Sequence, residues 1–115
     1  MKSLKITLLL LMISSIGLAQ NKNAKANILV DGVCGMCKNR IEKACLKTKG
    51  VKSAIWSIET HQLSLIYDER KTDLEVIKTN VAGVGHDTKT IKATDEAYND
   101  LHHCCKYRDE EIQRE

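Results

Sequence analysis

Two short segments with alternating apolar residues lie between two segments of helical periodicity, and this order restricts the topology that the chain can adopt. Residues 51–58 place apolar side chains at every second position, and residues 63–67 do the same after the turn Glu59-Thr60-His61. These two runs predict an antiparallel hairpin. Residues 37–48 carry apolar residues at helical spacing and end before Gly50, which predicts the first helix.

A second helix, a strand before the first helix and a strand after the second helix complete the pattern. Thr72-Asp73-Leu74-Glu75 has the sequence of a capping box, and Gly83 and Gly85 end the helix that it opens. Residues 26–30 form a short apolar run that predicts a strand, and residues 86–93 alternate weakly and predict another.

The resulting order is strand, helix, strand, strand, helix, strand. It predicts an α+β fold, a ferredoxin-like βαββαβ sandwich with a four-stranded antiparallel sheet and both helices on one face. Residues 20–93 form this domain. Residues 94–115 are a C-terminal extension, for which we expect a short helix that starts at Thr94-Asp95-Glu96 and then a frayed, charged tail.

The first 19 residues have the layout of a secretory signal peptide. Lys2 and Lys5 precede the apolar run 6–13, and small residues follow up to Ala19. A membrane anchor is the alternative, but the apolar run is much shorter than the ~20 residues that span a bilayer. We therefore expect cleavage after Ala19 and a periplasmic or secreted protein with no stable membrane insertion.

The exported chain has a nearly balanced charge and a small core. Loss of Lys2 and Lys5 leaves 16 of the 18 basic residues against 15 acidic ones, and the sequence contains no Phe and a single Trp. The lysines are scattered and no series of aromatic residues accompanies them, which argues against a nucleic-acid partner. One domain of about 96 residues, most simply a monomer, is what this length allows.

The five cysteines are grouped in a way that suggests chemistry rather than a disulfide framework. They occur as Cys34-x-x-Cys37, a lone Cys45, and the adjacent pair Cys104-Cys105. Cys34 and Cys37 lie where a loop meets the first helix, so both thiols can converge on one ion, and the positive end of the helix favours their thiolate form. Soft thiolate ligands select Cu(I), Hg(II) or Zn(II) over hard cations.

The stretch from Asn27 to about Ala93 resembles a heavy-metal-associated domain, the family of small copper chaperones, metal-ATPase N-terminal modules and periplasmic mercury-binding proteins. The resemblance implies that Cys34 and Cys37 are metal ligands, and that a membrane metal transporter or metal-transporting ATPase is a possible partner. The loop before Cys34 is one residue shorter than is usual in the family. The residues that carry the resemblance are Gly32, Cys34, Cys37, Ile41, Glu42, Ala44, Gly50, Val51, Gly85, His86 and Asp87.

Further ligands are predicted outside the two-cysteine motif. His86 falls on a loop that the family fold places beside the metal, so it is a candidate third ligand or else a surface histidine. The cluster formed by His102, His103, Cys104 and Cys105 combines two imidazoles with two thiols. It predicts a second metal site, a set of ligands folded back toward the first site, or a disulfide with another chain.

Three other residues near the motif are interpreted as structural. Cys45 occupies a core position of the first helix, and Trp56 alternates with core residues of its strand. Met36, between the two cysteines, is expected to point outward.

The preferred function is that of a non-enzymatic metal chaperone or scavenger, with Cu(I) as the preferred cargo and Hg(II) or Zn(II) as alternatives. The alternative class is an exported thiol-disulfide oxidoreductase that uses the same Cys34 and Cys37. Thioredoxin-like folds resemble one another in placing a cis-proline opposite the active cysteines, and this sequence contains no proline. The hairpin order also disagrees with that class.

Overall fold

The computed structural model describes residues 20–109. The predicted signal peptide, residues 1–19, lies outside the described residues, as do residues 110–115. The described elements are β1 (Ala24–Leu29), α1 (Gly35–Leu46), β2 (Val51–Trp56), β3 (Gln62–Tyr67), α2 (Leu74–Gly83), α3 (Asp95–Asn99) and a 3₁₀ turn (His103–Cys105).

The sheet is antiparallel, as predicted, and has the strand order β1-β3-β2. The predicted hairpin is the pair β2 and β3. Leu63 faces both Ile28 of β1 and Trp56 of β2. Trp56 is fully buried, which confirms it as a core residue, and it packs with buried residues of both long helices, Ile41 and Ile77. The ferredoxin-like arrangement of one sheet and two packed helices is therefore present.

The predicted fourth strand is wrong for residues 86–93. Within the described residues, this segment makes a single bridge, between Thr88 and Val30 at the free edge of β1. Local side-chain bonds take the place of strand pairing. The hydroxyl of Thr88 bonds the backbone of Ile91, and the Asp87 carboxylate accepts from the N–H of Ala93 at 2.7 Å. Such bonds turn the chain away from an extended path.

Other boundaries differ from the predictions by one or two residues. The N-cap of α2 is Asp73, not Thr72, because its carboxylate accepts from the N–H of Val76 at 2.9 Å. Strand β2 ends at Trp56, and Ile58, which was predicted on its core face, is exposed.

The last described segment, residues 94–109, which we call the C-terminal strap, packs onto the domain. Its first part is the predicted short helix α3. The frayed tail that was expected after it is wrong for residues 101–109, because Leu101, Cys105 and Tyr107 are buried in the same core as the sheet. Gly85 allows this approach: it has a φ of +103°, and a Cβ there would lie 2.8 Å from the carbonyl oxygen of Ala97.

Among residues 20–109, no helix combines the length and the apolar character that crossing a membrane requires.

If the strap belongs to the core, removing its apolar anchor will destabilise the whole domain. Leu101 is 4% exposed and Leu46, the matched control, is 53% exposed. We expect Leu101→Ala to lower the free energy of unfolding in urea by about 2–5 kcal/mol, because it leaves a cavity. Leu46→Ala should change it by less than about 0.5 kcal/mol. Equal effects of the two substitutions would show that the strap contributes nothing to the core.

Candidate metal site

The loop before the two-cysteine motif lies directly on Trp56. The Trp56 indole N–H donates to the carbonyl of Val30 at 3.0 Å, which fixes the ring beneath the loop. A Cβ at Gly32 would lie 2.9 Å from two ring carbons of Trp56 and 3.2 Å from the Cβ of Cys37. Only glycine therefore lets the backbone pass this closely over the ring.

Helix α1 begins immediately after this loop and positions both cysteines of the motif. Cys34 is the N-cap residue with an extended backbone, and Cys37 lies in the first turn. Their sulfur atoms are 3.7 Å apart. The N–H of Val33 donates to the sulfur of Cys37 at 3.4 Å, so a backbone dipole already points at this thiol. Cys37 is fully buried, whereas Cys34 is partly exposed.

The strap brings two more thiols to the same place. The sulfur of Cys34 lies 3.5 Å from that of Cys104 and 3.5 Å from that of Cys105. The two strap sulfurs are 4.0 Å apart. We call Cys34, Cys37, Cys104 and Cys105 the four-thiol cluster, with Cys34 at its centre. All four thiols are free, and the three sulfurs of Cys34, Cys104 and Cys105 lie within 4.8 Å of one another.

Two residues at the end of the strap hold it in place. The Tyr107 hydroxyl donates to the carbonyl of Gly85 at 2.6 Å and accepts from the N–H of Asp87 at 2.9 Å. Arg108 pairs with the Asp87 carboxylate at 2.8 and 3.2 Å and also donates to the carbonyl of Ala93. Because Asp87 is buried, this ion pair is shielded from water on the carboxylate side.

Three thiols of the cluster differ in pKa. Partial burial raises the pKa of Cys34, but a hydrogen bond from the N–H of Cys37 and hydrogen bonds with the thiols of Cys105 and Cys104 outweigh it and lower the pKa to about 7. The hydrogen bond with Cys34 raises the pKa of Cys104. Burial, followed by the neighbouring thiols Cys37 and Cys34, raises the pKa of Cys105. Cys34 thus has a lower pKa than Cys104 and Cys105.

The predicted histidine ligands occupy different surroundings. His86 is fully buried, with Nδ1 2.8 Å from the carbonyl oxygen of Asp31, and its ring stacks on Tyr107 at 5.4 Å between centroids. Burial lowers its pKa, and among residues 20–109 Nε2 has no hydrogen-bond partner. His102 and His103 are exposed. Within residues 20–109, no histidine joins a group of three mutually close ligand atoms, so the three histidines stay predicted ligands only.

Two further sulfur residues lie near the motif. Cys45 is fully buried in α1, as expected, and burial raises its pKa to about 12. Met36 is exposed, also as expected, but its sulfur accepts a contact from the Cys104 thiol at 3.5 Å. This contact was not predicted, because it exists only once the strap is folded over the loop.

The model of the heavy-metal-associated domain family matches residues 27–87. The chain belongs to this family. It is 35% identical over 63 residues to the copper chaperone CopZ of Staphylococcus haemolyticus, which covers 54% of this chain and 93% of the relative. It is also 35% identical over 66 residues to a copper-exporting P-type ATPase of the same organism. That match covers 56% of this chain but only 8% of the ATPase.

The solved structure of a CopZ metallochaperone superposes with a TM-score of 0.55 at 32% identity, over 56% of this chain and 98% of that one. The family match ends at residue 87, before the strap begins. Cys34 and Cys37 therefore lie inside the heavy-metal-associated domain, and Cys104 and Cys105 lie in a segment beyond it.

The acidities of the cluster can be tested by alkylation of the reduced, metal-free protein with iodoacetamide. Because the thiolate is the nucleophile, Cys34 should react before Cys104, at a rate that rises as the pH passes through about 7. Cys104 is more exposed but should need a higher pH, since its pKa is raised. Mass spectrometry of the digested protein measures both rates. Faster labelling of Cys104 than of Cys34 at pH 7 would contradict this account.

Proposed function

We propose that this protein is exported, binds Cu(I) as its cargo through the thiolates of Cys34 and Cys37, and delivers or scavenges the ion without catalysing a reaction. The observation that carries the proposal is the pair of sulfurs 3.7 Å apart at the start of α1, inside the domain that matches the family model. Soft thiolates favour Cu(I), and the relatives include proteins named as copper chaperones.

The N-terminal end of α1 favours a metal centre that carries the negative charge of two thiolates. The first turn of α1 contains no acidic residue, so the positive end of its dipole is not cancelled there. One thiol of the pair, Cys34, is partly exposed and has a pKa of about 7, while Cys37 is buried. Cys34 is therefore the ligand at which exchange with a partner's thiolate would begin, and Cys37 the one exchanged afterwards.

A membrane metal transporter, such as a metal-transporting ATPase, is the partner that we propose for delivery. The support is that the same stretch of chain is similar both to a free chaperone and to part of a copper-exporting ATPase. Transfer to a second domain with the same thiolate pair would change the ligands of the ion little. Scavenging needs no such partner, and transfer to an acceptor domain distinguishes the two.

The metal proposal predicts tight binding that depends on the pair. We expect the anaerobic, reduced protein to bind one equivalent of Cu(I) against a competing chelator, and Cys34→Ser/Cys37→Ser to lose at least about 100-fold in affinity, since both central ligands are gone. Cys45→Ala, which removes a thiol outside the cluster, is the matched control and should bind like the parent.

Parallel titrations with Hg(II) and Zn(II) decide the cargo. If the protein retains either ion against the chelator more tightly than it retains Cu(I), that ion replaces Cu(I) in the proposal. Unchanged Cu(I) binding by the double variant would overturn the metal proposal. Catalytic reduction of a disulfide substrate by a parent that holds no metal would favour the oxidoreductase instead.

Export predicts a shortened protein outside the cytoplasm. When the full chain is expressed in a Gram-negative host, intact-mass measurement of the periplasmic fraction should find a chain that begins at Gln20, as cleavage after Ala19 requires. Leu9→Arg/Leu10→Arg interrupts the apolar run and should leave an uncleaved protein in the cytoplasm. A parent that stays in the cytoplasm with residues 1–19 attached would overturn the export proposal.

A further inference from the structure

We infer that the C-terminal strap completes the metal site, so that the bound ion has more than two sulfur ligands and is retained against competing thiols. This inference rests on the proposed function and specifies its site. The strap lies beyond the residues that match the family model, so the additional ligands are a property of this chain and not of the matched domain.

The spacing of the sulfurs fits an ion with more than two ligands. At a metal–sulfur distance of about 2.3 Å, a linear two-sulfur centre places its sulfurs about 4.6 Å apart and a tetrahedral centre about 3.8 Å apart. The sulfur of Cys34 lies 3.7 Å from Cys37, 3.5 Å from Cys104 and 3.5 Å from Cys105. These separations fall near the tetrahedral value, as does the 4.0 Å between the sulfurs of Cys104 and Cys105.

The strap thiols are held in position by contacts on both sides of them. Leu101 is buried before them, and Tyr107 is buried after them with its hydroxyl bonded to both Gly85 and Asp87. Arg108 closes the segment with its ion pair to Asp87. Because Cys105 is fully buried against Cys34, no rearrangement of the strap is needed to bring this sulfur to the ion.

Adjacent cysteines rarely chelate one ion alone, but here both lie against a third thiol, that of Cys34. Cys105 is buried, whereas Cys104 is exposed and contacts the sulfur of Met36 at 3.5 Å. Cys105 is therefore the strap thiol shielded from solvent, and Cys104 is the one that solvent reaches. The strap stands on the route by which an external thiol would reach Cys34.

This arrangement predicts slow release of the ion. An external ligand must displace the strap thiols before it can attack the ion, and displacing them means loosening a segment anchored by Leu101, Tyr107 and Arg108. Such a protein retains its metal until a partner or a competing ligand opens the strap. A two-cysteine site on an exposed loop has no comparable barrier.

The test compares the Cu(I)-loaded parent with Cys104→Ser/Cys105→Ser, using X-ray absorption for the number of sulfur ligands and a chelator for the rate of Cu(I) loss. The parent should show three or four sulfurs and the variant two. The variant should also lose Cu(I) at least about tenfold faster, the lower end of what a lost supporting group costs a metal site. Cys45→Ala is the matched control and should behave like the parent.

A second variant tests the anchoring of the strap without replacing any cysteine. Arg108→Gln keeps all four cysteines but breaks the ion pair that anchors the strap, and it should speed Cu(I) loss while urea unfolding confirms that the domain is folded. Two sulfurs in the parent, or equal release rates in parent and Cys104→Ser/Cys105→Ser, would overturn the inference and leave the proposed function standing. A parent that binds no Cu(I) would overturn both.

Discussion

The buried carboxylate of Asp87 is the group that ties the domain, the metal loop and the strap together. Its side chain accepts from Arg108 and from the N–H of Ala93, its N–H donates to Tyr107, and its carbonyl accepts from the N–H of Asp31 at 2.9 Å. Burial raises the pKa of this carboxyl, but the Arg108 guanidinium and the Ala93 N–H outweigh it, so the pKa is lowered. An ionised carboxylate without these partners would be costly in the interior.

These bonds explain why the fold ends differently from the βαββαβ pattern. A fourth strand would need residues 89–93 to continue along the edge of β1 beyond the single bridge at Thr88. Asp87 instead captures the N–H of Ala93 and turns the chain back. The alternation that predicted this strand was weak, and nothing local to it reveals Arg108, about twenty residues later, as the partner that makes a buried Asp87 tolerable. The central elements have no such competitor, so their periodicity was sufficient.

The candidate metal site, like the fold, has one part that the sequence predicted and one part that it left open. Cys34 and Cys37 could be found from their spacing at a loop-to-helix junction, because the geometry that joins them lies within one turn of α1. The approach of Cys104 and Cys105 was one of several alternatives, since it depends on contacts with no sequence periodicity. The signal that would have favoured it is Tyr107, an aromatic residue directly after the thiols in an otherwise charged segment, and it is buried in the structure. A tyrosine ring buries a large apolar area, and its hydroxyl usually finds a hydrogen-bond partner when buried, as Tyr107 does at Gly85.

On the proposed export, the four thiols of the cluster face oxidation as well as metal binding, and the cluster makes these two reactions compete for one sulfur. A disulfide needs sulfurs about 2.05 Å apart, whereas Cys34 lies 3.5 to 3.7 Å from each neighbour, so any bond requires the two side chains to move closer. Both metal binding and disulfide exchange start from a thiolate, and Cys34, with a pKa of about 7, supplies it. On the proposed function, an ion bound to Cys34 removes the thiolate from which a disulfide to any of its three neighbours would begin. Loading with metal and protection from oxidation then become the same event, and a strap that slows release of the ion prolongs both.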